Sequence, residues 1–257
     1  MLRRLKFLFA ALVGLLTFGL ATSPCCAATS GVESGVIDFF RQPIALVLIV
    51  GLATLLPFAF MALTAFVKIS TVLQIVKGAI GVQSVPSNAI IIALSAALTL
   101  LAMGPVGSRI VDRSAPLFAG NASQDTVKVV TGLVSAIGEP MRDFLRANAT
   151  ARERQRFFEL AKQARPEVER PSVGEGDWVV VIPAFVVSQL IEAFALGFLI
   201  YLPFLVIDLV VSNVLLALGM QTVSPTQVSL PFKLLLFVAI DGWGLISQAL
   251  VTGYRLT

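Results

Sequence analysis

Four ionisable residues stand where a charge is costly: Glu192, Asp208, Lys233 and Asp241 all fall within the apolar stretch 179–250. A charged side chain at the centre of a lipid-facing helix costs about 2.5–3.5 kcal/mol on insertion scales. All four are therefore expected to face protein or water. Ser188 and Glu192 are spaced i, i+4, as are Asp208 and Ser212, which sets each pair on one face of a helix. Three chemistries fit such a set: buried ion pairs between helices or subunits, an aqueous path, and a proton relay. The chain has no histidine, the residue a relay would most comfortably include. Its only cysteines, Cys25 and Cys26, are adjacent. No Cys/His set for a metal and no imidazole base for a nucleophile are present, so neither catalytic activity, nor a cofactor, nor a metal is expected.

The elements that must carry these groups are membrane-like. Hydrophobic residues make up 57% of the 257, charged residues 13%, and mean hydropathy is +0.90, which argues against an ordinary soluble core. The charge is concentrated: 11 of the 19 basic and 10 of the 15 acidic residues lie in 107–178. Because the two signs nearly cancel there and no Lys/Arg run occurs, nucleic acid is not an expected partner.

In chain order, residues 1–28 combine a basic start (Arg3, Arg4, Lys6), an apolar run and small residues before Ala27 and Ala28, the plan of a cleavable signal peptide. An uncleaved first helix is the alternative. Residues 29–106 read as an N-terminal hydrophobic hairpin. Its first segment, 44–67, is long enough to span, with a kink expected at Pro57, and its second is the uncharged run 89–106. Between them, 68–88 reads as a short polar connection whose Lys68 and Lys77 set topology. The charged window 107–178 is expected to be helical and exterior, with helices over 126–147 and 153–164 and a linker in ARPEVERPSVGEGD.

The C-terminal region, 179–257, reads as a kinked hydrophobic hairpin. Residues 183–218 would make a helix of about 54 Å, nearly twice a hydrocarbon core, so kinks are expected at Pro183 and Pro203 and a division into halves at the latter. The run GMQTVSP then predicts a non-helical turn before a last segment, 228–250. Irregular backbone at membrane depth is tolerated only against protein or a water-filled cavity, which makes this turn a candidate pore loop. Met220 within it could seal such a pore with a flexible thioether, or could simply pack.

Three runs carry a resemblance: GAIGVQSVPSN (78–88), IPAFVVSQLIEAFALGFLIYLPFLVIDLVVSNVLLALGM (182–220) and SLPFKLLLFVAIDGWGLI (229–246). They resemble the FliP/SctR family, the export-gate proteins of flagellar and virulence type III secretion. The resemblance implies an all-α, membrane-type subunit of a helical multi-subunit gate in the bacterial inner membrane. The exterior region and much of the assembled gate would lie on the periplasmic side. It implies a homo-oligomer, with a pentamer expected, and SctS-like, SctT-like and SctU-like partners. The gate would pass unfolded polypeptides and contact membrane lipids. It places a gasket at Gly219, Met220, Gln221 and Thr222. Flagellar members tend to carry consecutive methionines there, so a lone Met220 leans toward the virulence branch. Gln189 stands where the family more commonly has glutamate. An ion or small-molecule transporter subunit is the alternative function, although residues 44–106 and 179–250 show no convincing internal repeat.

Overall fold

The computed structural model describes residues 51, 54–55, 57–82, 86–119 and 126–255, excepting the side chains of 117–119 and 126–130. The signal-peptide reading, both cysteines and most of the segment before Pro57 lie outside these residues. The described part is all-α: α1 (Pro57–Leu63), α2 (Phe66–Ile80), α3 (Asn88–Ala102), α4 (Gly104–Ala119), α5 (Thr126–Asn148), α6 (Ala151–Gln163), α7 (Trp178–Ala217), α8 (Pro225–Ala239) and α9 (Gly242–Thr252). A single 3-10 turn, Arg170–Ser172, interrupts the linker before α7.

The spine is α7, against which α2, α5, α6 and α8 all pack, α2 most extensively. It is one unbroken helix of 40 residues, about 60 Å long, with Pro183 and Pro203 both inside it. The expected division at Pro203 is absent. Each proline removes one backbone hydrogen bond, and the neighbouring turns continue the helix across the gap.

Three other apolar segments are broken instead of continuous. The axes of α1 and α2 differ by 82°, those of α3 and α4 by 56°, and those of α8 and α9 by 58°. Among the described residues α7 alone is long and apolar enough to cross a membrane, and up to four spans result there if each bent pair counts as one. The sharp bend of the first segment lies at Thr64–Ala65, beyond Pro57. The last bend is made by Asp241, a non-glycine residue in the left-handed region at φ 51°, followed by Gly242. A side chain on Gly242 would collide with the Phe237 ring, which stands edge-on to Trp243 at 5.2 Å.

The polar connection expected over 68–88 is mostly helix. Ile69, Val72, Leu73, Val76 and Ile80 recur at helical spacing, and all are buried against the rest of the fold. The interleaved Lys68, Ser70, Thr71, Gln74 and Lys77 made this amphipathic helix look like a loop. It ends at Gly81, whose positive φ of 85° and bond from its N–H to Lys77 O (3.4 Å) turn the chain. Ser87 then caps α3, its Oγ accepting from Ile90 N.

In the charged window, α5 and α6 fall within a residue or two of the expected helices. α4 packs against α5, while α5 and α6 pack on α7. The apolar residues of α5 are only partly buried, since Val134 and Ile137 remain exposed.

Candidate functional site: paired charges and a capped turn along α7

Asp208, late in α7, is met from two directions. Lys233 of α8 donates from Nζ to its Oδ2 at 2.6 Å, and Ser229, one turn earlier in α8, donates to its Oδ1 at 2.5 Å. Lys233 Nζ also donates to Ala79 O in α2 at 3.3 Å. Both carboxylate oxygens and two ammonium protons are thereby satisfied, which such a desolvated pair requires. The pair ties α2, α7 and α8 together at one point.

Glu192, earlier in α7, takes a partner from outside the expected set. Lys68 of α2 donates to its Oε2 at 2.7 Å, with side-chain exposures of 5% for the lysine and 40% for the glutamate. The same ammonium lies 5.0 Å from the centre of the Tyr254 ring. Sequence reasoning missed Lys68 as a structural charge. Its place at i+3 from Ala65 and i−4 from Val72, both fully buried, marks it as structural only once the fold is known. Asp241, by contrast, has no ion-pair partner among the described residues, and its carboxylate lies over Gly244 in the first turn of α9. Among the described residues no group of three or more His, Cys, Asp or Glu could hold a metal ion.

A second polar set locks the exterior helices onto α7. Ser188 Oγ donates to Ala184 O (2.7 Å) and accepts from Thr150 N (3.0 Å), with the Thr150 hydroxyl 3.1 Å away. Thr150 stands at the N-cap of α6. Gln189, fully buried, donates from Nε2 to Asn148 O at 2.9 Å, while its Oε1 has no partner among the described residues. Neither Thr150 nor Asn148 stood out in sequence, because their role depends on a turn whose position only the tertiary fold fixes.

Beyond the charges, α7 stops at a fully formed cap. Gly219 sits at φ 73°, its N–H donates to Leu216 O (3.0 Å), and Met220 N donates to Leu215 O (2.9 Å), the paired bonds of a Schellman motif. Met220 follows at 46% exposure, with Gln221 and Thr222 exposed beside it. Ser224 and Pro225 open α8, proline occupying the first turn where its missing N–H costs nothing. Gly219, Met220, Gln221 and Thr222 therefore form a short, backbone-defined tip between two apolar helices.

The flanks of that hairpin are unusual for a free surface. Only 11% of the most apolar window of α7 is buried within the chain. Phe194, Phe198, Leu209 and Val214 of α7 and Phe232 and Leu235 of α8 are among the exposed residues. This is an all-α, membrane-type protein whose apolar hairpin requires cover from lipid or from other subunits.

A family model described as FliP family matches residues 49–250. Among characterised relatives, "Pathogenicity-related ORF2" of Xanthomonas campestris pv. glycines is 42% identical over 210 residues, covering 82% of this chain and 96% of its own length. "Hypersensitivity response secretion protein HrcR" of Ralstonia nicotianae is 39% identical over 201 residues (78% and 92%). "Yop proteins translocation protein R" of Yersinia pestis is 41% identical over 209 residues (81% and 95%). The chain belongs to the FliP family, the membrane-associated export-apparatus proteins of type III secretion.

Proposed function

We propose that this chain is a core export-gate subunit of a virulence-type secretion system, and that the turn Gly219–Thr222 forms its constriction. Several copies, together with SctS-like and SctT-like subunits, would surround a channel that passes unfolded polypeptide across the inner membrane. An SctU-like partner would act beside it. The subunit itself would position and seal, with energy supplied by partner machinery. The names of the relatives, which speak of secretion and translocation of proteins, support this reading.

The observation that carries the constriction is the capped tip. Its backbone is fixed by the Gly219 cap, while its side chains, Met220 above all, are exposed and make no side-chain hydrogen bond among the described residues. A pliable apolar thioether on a rigid turn can close around a moving chain and exclude water when the channel is idle. The acids and lysines would then hold the hairpin in register. Kinks at Pro57, Pro183 and Pro203 would fit the helices to their neighbours, and the window 107–178 would lie on the periplasmic side.

Replacing Met220 with alanine tests the constriction. Leakage of ions or small solutes through the assembled complex should rise about tenfold or more, since the seal loses its widest side chain. An unchanged leak from a complex of normal size would rule out Met220 as a seal.

A further inference from the structure

The segment after α9 does more than end a helix. Tyr254, buried, and Arg255, exposed, turn back onto the fold and bond to two places distant in sequence. The Tyr254 hydroxyl donates to Ala65 O at 3.0 Å, in the break between α1 and α2, across 189 positions of chain. Arg255 bonds through its backbone: its N–H donates to Asn148 Oδ1 at 2.9 Å and its carbonyl accepts from Asn148 Nδ2 at 3.0 Å, across 107 positions. Asn148 is the last residue of α5, one position before the turn into α6.

Between these two anchor points the Tyr254 ring is sandwiched. One face receives the Lys68 ammonium, 5.0 Å from the ring centre, and Phe144 of α5 stacks at 5.9 Å. Phe144 in turn packs on Phe185 of α7 at 5.7 Å. Gly253 allows the approach, because a side chain there would meet Ala249 O at 3.0 Å and Lys68 Nζ at 3.7 Å. Burial, with the Glu192 carboxylate adding to it, holds the phenol above its ordinary range.

We propose that Gly253–Tyr254–Arg255 is a clasp that couples the break between α1 and α2 to the turn between α5 and α6, so that the hydrophobic hairpin and the exterior helices seat on α7 together. The family match stops at residue 250, short of these residues. Each contact is directional and most of the partners are buried, so loosening one end of the clasp removes the geometry that the other end needs. A local tail contact would have no such reach.

Hydrogen exchange, followed by mass spectrometry on the full chain within its detergent-extracted complex, reads both ends at once. Tyr254→Phe deletes only the hydroxyl and keeps the ring between Lys68 and Phe144. It should speed exchange about fivefold at the start of α2, at Ile69 N, and also at the far end, at Thr150 N and Arg154 N. Asn148→Ala removes both bonds to Arg255 and should speed the same two sets about tenfold. Acceleration confined to the end that carries the substitution, or no acceleration at all, overturns the clasp. Should Asn148→Ala loosen the whole chain, shown by an equal change across Pro225–Ala239, Tyr254→Phe decides alone: faster exchange at Thr150 supports the coupling and unchanged exchange there refutes it.

Discussion

At the scale of single residues, the deciding quantity is what remains when one partner of a buried pair is removed. Asp208 and Lys233 satisfy each other inside an apolar hairpin, with Ser229 and Ala79 O completing their bonds. Lys233→Met leaves a carboxylate with one hydroxyl donor and should cost about 3–5 kcal/mol. Asp208→Leu combined with Lys233→Met removes both charges and should recover most of that loss. Thermal unfolding of the purified subunit in detergent compares the two, and a double variant no more stable than the single one would show that the pair is not the source of the cost. The residues on α7 and α8 stood out in sequence because charge is costly in so apolar a run, but sequence left ion pairs, an aqueous path and a proton relay open, and only the fold brings Lys233 to Asp208. Lys68 was not legible, because a lysine near a segment end serves equally well as a topology signal, and only the fold brings Glu192 to within 2.7 Å of it. Asp241 was grouped with the others by hydropathy alone, and the structure instead puts it at a helix start in a left-handed conformation.

At the scale of elements, the packing of α2 on α7 turns on one missing side chain. A Cβ on Gly197 would come within 2.5 Å of Ile75 Cδ1 and 3.0 Å of its Cγ2. Gly197→Val should therefore push the two helices apart and strain the Lys68–Glu192 contact, costing about 1–3 kcal/mol through overpacking. The shorter variant Ile75→Ala should restore part of the loss when combined with it, and an additive double mutant would place the two residues out of contact. Ala193 and Gly197, spaced i, i+4 and both buried, permit this close approach. Helix ends were read less well than helix faces. The bends at Thr64–Ala65, Met103 and Asp241 interrupt runs whose hydropathy is continuous, and nothing in a hydropathy pattern marks where an apolar helix changes direction. Conversely, Pro203 looked like a divider, and the surrounding turns simply carry α7 past it.

At the scale of the molecule, α7 receives a cation at two levels, from α2 at Glu192 and from α8 at Asp208. The sixteen intervening steps advance about 24 Å along an ideal helix and rotate about 160°, which directs the two carboxylates to nearly opposite sides. α7 thus acts like a keyed shaft: its teeth set the angular phase of two other helices as well as their height. One alanine inserted between the two acids would turn the second tooth by about 100° and lift it by about 1.5 Å, so Lys233 could no longer reach Asp208 while α2 stays engaged. The same insertion placed after Thr222, in the turn beyond both teeth, leaves the phase intact. Complex assembly, followed by size in mild detergent, should fail for the first insertion and survive the second. Equal tolerance of both would mean that phase is set elsewhere. On this view the length of the helix between the two teeth is fixed for an angular reason: substitution there is tolerable, while change of length is tolerable only outside them.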